Sequence, residues 1–350
     1  MDETTRIFID TSKSVFQLHG VNAAEAVVLR RQLPRARMVE FFNKLPPTEI
    51  ALEACGASHH WARVLSGLGH RVRLIAPQLV KPYVKRGKND ATDAAGGCEA
   101  MSRPTMRFVP VKTAEQQAAL MLAGVRESLV RERTQLTNMI RGYAAEFGVV
   151  APKGLCKIEP LLARITGDQT LPALARDLFA ELSAAYQEVQ ARFAVIDAKL
   201  LAWHRANPVS RALGEIPGVG PIGASLLVMK TPDPGAFKSG RQYAAWLGLT
   251  PKDHSTAGKA RPGVITRAGD EALRSVLVVG AMAVIKMALH GKGKSASPWL
   301  IALLKRKTPK LAAVALANKI ARIAWTMMVT GEAYDARRPT LGQGAIANPA

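Results

Sequence analysis

Arg6-Ile7-Phe8-Ile9-Asp10 reads as a short buried strand whose last residue is an acid. The same grammar returns at Glu49-Ile50-Ala51-Leu52-Glu53. A carboxylate at the end of a buried strand costs several kcal/mol when alone and much less beside a cation or solvent. A third acidic stretch, Lys88-Asn89-Asp90-Ala91-Thr92-Asp93-Ala94, places two carboxylates three residues apart, on one face of a helix. The helix dipole tolerates anions at that end. Asp90 also reads as a plain N-cap. If they converge, Asp10, Glu53, Asp90 and Asp93 form an oxygen-rich set suited to Mg²⁺ or Mn²⁺.

Outward from these acids the pattern is α/β. Strands are predicted over 6–10, 15–21, 26–30, 49–53 and 70–75. Helices are predicted over 35–45, stopped by Pro46-Pro47, and from Ser58 as cap to Leu68, stopped by Gly69, followed by the Asp90 helix. Three strands, helix, strand, helix, strand, helix, with acids ending strands one and four, resembles the ribonuclease H-like (RuvC-like) fold of Holliday-junction resolvases and many transposases.

The remainder reads as mostly helical. Long apolar periodicities cover 113–147 and 174–203, the second through Leu178, Leu182, Ala185, Val189, Phe193, Ile196, Leu200 and Trp203. They read either as two antiparallel helices packed on each other or as an oligomerisation coiled coil. Ile216-Pro217-Gly218-Val219-Gly220 reads as the turn of a helix-hairpin-helix-like element, with Gly218 and Gly220 able to approach a phosphate. Lys252, Lys259, Arg261, Arg267 and Arg274 form a basic stretch that reads as a DNA contact or as a solvated loop. Lys13 and Lys88 flank the acids, as phosphate ligands or as charge balance. A helical tail is predicted over 300–329.

Composition narrows the partner. A net charge of +21 among 350 residues exceeds what solubility needs and points to a polyanion, nucleic acid first. Aromatics at 5% argue against a base-stacking single-strand binder. No N-terminal signal peptide is read, and the longest apolar run, 276–285, is too short to span a bilayer. Cys55, Cys98 and Cys156 form no metal-type pair and leave an odd count, so they read as reduced residues of a cytosolic protein, with no membrane partner expected.

With both halves read, the chain resembles the DEDD transposases of bacterial insertion sequences, and more narrowly the serine-dependent, bridge-RNA-guided recombinases. The resemblance rests on Ile9-Asp10-Thr11-Ser12-Lys13, Leu52-Glu53-Ala54-Cys55-Gly56, the Lys88–Ala94 block, Pro217-Gly218-Val219-Gly220, the segment 245–251 and His254-Ser255-Thr256, in that order. It implies a RuvC-like catalytic domain (1–108), a helical connector (109–206), a C-terminal transposase domain with a serine loop (207–335) and a tail (336–350). It implies metal-assisted cleavage and strand exchange with Ser255 as nucleophile and Thr256 as the alternative. The implied partners are donor and target DNA, a structured bridge RNA, and copies of the chain in a homodimer or homotetramer. Gly96-Gly97 departs from the helix formers usual there and is expected to loosen the metal-site helix. Two other readings stay open: a resolvase-like, Mg²⁺-dependent endonuclease that uses water, and a non-catalytic nucleic-acid scaffold.

Overall fold

The two acid-ended strands are the central pair of a six-stranded sheet in a computed structural model of the chain, which describes residues 4–84, 89–254, 256, 261–291 and 297–335. β1 (Arg6–Asp10) pairs antiparallel with β2 (Val15–Val21), and β2 with β3 (Val27–Pro34). On its other edge β1 runs parallel to β4 (Glu49–Glu53), β4 parallel to β5 (Arg71–Ile75), and β5 antiparallel to β6 (Phe108–Val109). Ile7, Phe8 and Ile9 are all buried, because helices cover both faces of the sheet. Ile7, Ile9, Ile50 and Leu52 join Phe42, Trp61 and Leu65 from α1 (Met38–Asn43) and α2 (Ser58–Gly67). Phe8 and Ala51 join the opposite layer, with Val80 of α3 (Pro77–Val80) and Ala94, Cys98 and Met101 of α4 (Asp90–Met101). The two-residue period of a strand puts Asp10 on the face of Phe8, and Glu53 on the face of Ala51.

Several local expectations change. β3 runs on to Pro34 because β2 continues to pair with it. α1 is shortened by a 3₁₀ turn at Arg35–Arg37. Ser58 does not cap α2: the N-cap is Ala57 at φ 69°, and the Ser58 hydroxyl donates to the Cys55 carbonyl at 2.8 Å. His59 is buried beneath the strap that follows β6; its Nδ1 accepts from the Lys112 N–H at 3.1 Å, and desolvation pushes its pKa down to about 4.

Gly96-Gly97 does not loosen α4; it seats it. A Cβ on Gly97 would lie 2.3 Å from the Phe8 ring, and one on Gly96 would lie 3.0 Å from the Tyr83 carbonyl. Both residues are buried, so the helix-propensity cost of glycine is exchanged for a close approach of α4 to β1.

Two compact units divide the chain, Met1–Gln117 and Ala118–Ala350. In the second, α5 (Ala114–Glu146) and α7 (Ala173–Ala206) pack antiparallel, tied by Arg126–Asp197 at 2.7 Å and Arg133–Gln190 at 3.2 Å, with α6 (Ile158–Gly167) against them. The buried stripe of α7 runs through Ala175, Phe179, Tyr186, Val189 and Leu200. Leu178 and Ala185, expected on that face, are exposed, because the larger rings of Phe179 and Tyr186 take the core positions.

The second core gathers α8 (Pro208–Gly214), α9 (Pro221–Lys230), α10 (Gly240–Trp246), α11 (Glu271–Leu289), α12 (Pro298–Leu304) and α13 (Pro309–Thr330). The expected single tail helix is two, because Pro309 cannot donate a helical hydrogen bond and starts α13. β7 (Pro251–Asp253) and β8 (Pro262–Ile265) form a short antiparallel pair where only a loop was expected. The apolar run 276–285 lies inside the 19-residue α11, so α11 and α13 are each long and apolar enough to cross a bilayer. They pack instead on each other, through Leu277, Ala281 and Ile285 against the small residues of α13. Gly218, at φ +89°, lies flat on Gly280 of α11: a Cβ on Gly280 would meet the Gly218 carbonyl oxygen at 1.8 Å.

Gly97→Ala should therefore destabilise the protein by about 1–3 kcal/mol, despite the better helix propensity of alanine. Gly124→Ala, on the exposed face of α5 with nothing within 4 Å of its Cβ, should stabilise it by about 0.5–1 kcal/mol. Thermal unfolding of the two variants side by side checks both signs, and Phe8→Leu should relieve part of the Gly97→Ala defect.

Candidate active site

β1 and β4 run parallel and in register, Ile9 beside Leu52, so Asp10 and Glu53 end neighbouring strands at one edge of the sheet. Crevices at the carboxyl ends of parallel strands are where such sheets hold ligands. The first turn of α4 arrives at the same place. Its N-cap is Asn89, whose Oδ1 accepts from the Thr92 N–H at 2.8 Å and from the Thr92 hydroxyl at 2.8 Å. Asp90 is thereby released from capping, which the sequence left open. Asp93, one turn on, shares its face.

Carboxylate oxygens of Asp10, Asp90 and Asp93 lie within 4.8 Å of one another. Glu53 stands beside this trio, close enough for its charge to act on Asp10 and for Asp93 to act on it. Asp10 is half-buried, and desolvation, followed by the charges of Glu53, Asp90 and Asp93, raises its pKa to about 6. Burial and then Asp93 raise Glu53 as well. None of the four forms an ion pair among the described residues. The arrangement concentrates negative charge with no ion-paired cation among the described residues, and a set of carboxylate oxygens is the donor chemistry of a divalent cation site.

Around the cluster, the Thr11 hydroxyl lies 3.0 Å from the Cys55 thiol, linking the segments that follow β1 and β4. Both residues lie in the stretches that carry the family resemblance, but their contact across 44 positions was not visible in sequence. Lys13 is exposed in the β1–β2 connection; Lys88 lies outside the described residues.

In the second unit, Gly218 serves packing on α11, whereas Gly220 is exposed at the start of α9 with open space around it. Lys252 is exposed on β7 and Arg267 is exposed at φ 56°, its N–H donating to the Gly248 carbonyl. Arg261 is exposed and its carbonyl accepts from the His254 N–H at 3.1 Å. Arg274, read as a nucleic-acid contact, is half-buried: its guanidinium donates to the carbonyls of Leu247 and Gly269, each at 3.2 Å, and so braces the α10–α11 connection. Ser255 and Lys259 lie outside the described residues, while Thr256 is exposed. The network of Lys230 with Glu127 at 2.8 Å and Asp270 at 2.9 Å, which joins α9 to α5 and to the cap of α11, was missed; its members are scattered over 144 positions (270 − 127 + 1) and show no periodic signal.

Comparison with known proteins assigns the chain. Residues 8–147, which contain all four acids, match a DEDD transposase profile of the IS110 group, and residues 210–295 match the profile described as "Transposase IS116/IS110/IS902 family". A Sinorhizobium fredii protein that carries the transposase name y4pF/y4sB is 66% identical over 95% of this chain and 86% of its own length. The transposase for insertion sequence element IS1328 of Yersinia enterocolitica is 37% identical over 95% of this chain and 99% of its own. That for IS1111A of Coxiella burnetii is 37% identical over 93% and 90%. The chain belongs to the IS116/IS110/IS902 family of insertion-sequence transposases, enzymes that cleave DNA and transfer its strands.

Proposed function

We propose that this transposase works by metal-assisted phosphoryl transfer at Asp10, Glu53, Asp90 and Asp93, with Ser255 as the nucleophile. The observation that carries the acidic half is the convergence of three carboxylates within 4.8 Å, with a fourth alongside and no protein cation paired to them among the described residues. Mg²⁺ or Mn²⁺ held by these carboxylates would polarise the scissile phosphate and stabilise the leaving oxygen. The strand order β3-β2-β1-β4-β5, with acids ending β1 and β4, supports a ribonuclease H-like reading of this unit.

Ser255 follows β7 and precedes β8, and the order of motifs around it supports its role by resemblance. A serine hydroxyl is a weak nucleophile; a cation held by the carboxylates would draw electrons from the phosphate and make its phosphorus easier to attack, and the proton Ser255 gives up is balanced by the one the leaving DNA oxygen takes on. The serine's attack makes a phosphoserine bond as a DNA oxygen leaves, and the reverse exchange rejoins strands without ATP. Thr256 is the alternative hydroxyl. We further infer that the acids of one copy work with Ser255 of another in a homodimer or homotetramer, and that a structured bridge RNA pairs with donor and target DNA in the cytoplasm. The long helical connector and the excess positive charge support both. Gly220, Lys252, Lys259, Arg261 and Arg267 are the contacts proposed for nucleic acid in the second unit.

Asp93→Asn should reduce strand transfer by at least about a thousandfold, remove Mg²⁺-dependent thermal stabilisation and leave nucleic-acid binding near wild type. Retained cleavage would remove the acids from the mechanism. Mixing Asp10→Asn protein with Ser255→Ala protein should restore part of the activity lost by each; no recovery in proven mixed oligomers would exclude the shared site. A covalent adduct between DNA and Ser255 should be trapped on denaturing gels, and its absence would favour water as nucleophile.

The cluster also sets a pH dependence. Asp10 keeps its proton to about pH 6 when folded but to about 3.8 when unfolded, so the folded chain binds the extra proton between those values. Its contribution is most favourable below 3.8 and is lost as pH rises through about 6. Asp10→Asn should thus stabilise the metal-free protein by about 1–2 kcal/mol at pH ~7.5, after allowance for solvent screening, and change it little at pH ~3.5. Thermal unfolding in chelator at the two pH values measures this.

A further inference from the structure

On the other face of the sheet, at the same edge as the acids, the first unit carries a groove of ≈ 610 Å³. Its walls are Lys13 and Ser14 from the β1–β2 connection, Pro34 and Arg35 from the end of β3, and His60 and Trp61 from the first turns of α2. The Arg35 N–H donates to the Ser14 carbonyl at 2.8 Å, which fixes one wall to another.

The charge of the groove is held in place without a carboxylate. The Arg35 guanidinium lies 5.3 Å from the centroid of Trp61 and 5.8 Å from that of Phe16. Those rings are buried and meet edge-on at 5.3 Å, so the platform beneath the cation is rigid. Neither Lys13 nor Arg35 forms an ion pair among the described residues, and no acid lines the groove. An exposed lysine alone would be an ordinary solvated charge. An arginine oriented on two packed rings, facing a lysine and a histidine across an open-ended groove, is a prepared anion site.

The groove exceeds the needs of a single phosphate and is open, as an extended polyanion requires. Its position supplies the identity of that polyanion. Lys13 follows Asp10 by three residues, while Trp61 belongs to the α2 layer and Asp10 faces α4. A strand bound with one phosphate at the acids would cross the carboxyl edge of the sheet and lay its neighbouring phosphates here. We propose that the groove of Lys13, Arg35 and His60 binds the sugar–phosphate backbone of the DNA strand adjoining the phosphate that is cut. The direction of the strand rests on the acidic site proposed above; the anion site itself does not. Contacts of this kind fix register and carry no base preference.

The test uses the full chain in metal-free buffer, with a fluorescein-labelled single-stranded DNA, the same sequence as RNA, and the Lys13→Gln and Lys13→Gln/Arg35→Gln variants. For the single-stranded DNA, the slope of log affinity against log salt should fall by about 0.7 for Lys13→Gln and about 1.4 for the double variant, alike for unrelated sequences. Lys13 is exposed and has no described partner, so its variant separates charge loss from misfolding. Neutral methylphosphonates beside the cut position should weaken wild-type binding severalfold and the double variant little. Unchanged slopes, a change confined to RNA, or equal losses from methylphosphonate in both proteins would overturn the proposal. Asp93→Asn, assayed in parallel for cleavage with Mg²⁺ added, keeps the two ideas apart: if it still cleaves while the groove variants lose slope, the acidic reading fails and the groove stands.

Discussion

Asp10, Asp90 and Asp93 repel one another, and water would separate them if the backbone did not hold them together. β1 and β4 are registered side by side by a parallel ladder, so Asp10 cannot leave Glu53 without breaking central-sheet hydrogen bonds. Asn89 takes the capping role and fixes where α4 begins, and the positive end of that helix offsets part of the repulsion between Asp90 and Asp93. Burial first, and then the charges of Glu53, Asp90 and Asp93, raise the Asp10 pKa, so the repulsion is the second part of that rise. Functional carboxylates often sit where stability would prefer something else.

The parts legible in sequence were those with local grammar. Apolar runs ending in Asp10 and Glu53, and two aspartates at helical spacing, were enough to find the strands, the helix and the cluster, because period and burial are encoded within a few residues. Packing between distant segments was not legible. Gly96-Gly97 read as a weak helix because its compensation, the Phe8 ring, lies almost ninety positions earlier in sequence, about 89. The packing of Gly218 was not legible because its partner, Gly280, carries no side chain to announce the fit. The bracing role of Arg274 was not legible because a guanidinium that holds two carbonyls looks, in sequence, like any basic residue. In α7 the period was right and Val189 and Leu200 are buried as read, with Leu182 packed beside the core, but Leu178 and Ala185 each miss by one residue, since periodicity alone does not say that Phe179 outcompetes Leu178 for the core.

The second unit shows the same economy of small residues at a different scale. α11 and α13 are apolar enough to suit a membrane, yet alanines along α13 and Gly280 on α11 let the helices and the Gly218 turn come into contact. Burial there pairs large side chains of α11, Leu277 and Ile285, with close backbone approach at the alanines of α13.

Gly97 lies one helical turn beyond Asp93, with the Phe8 ring beneath it, and Phe8 is two residues before Asp10 on the same strand face. The spacing between two members of the acidic cluster is thus set by the thickness of a single aromatic ring. A side chain at position 97, or a different ring at position 8, would shift Asp93 against Asp10 while leaving all four acids in the sequence. The geometry of the cluster is thus written as much in a glycine and a phenylalanine as in the acids themselves.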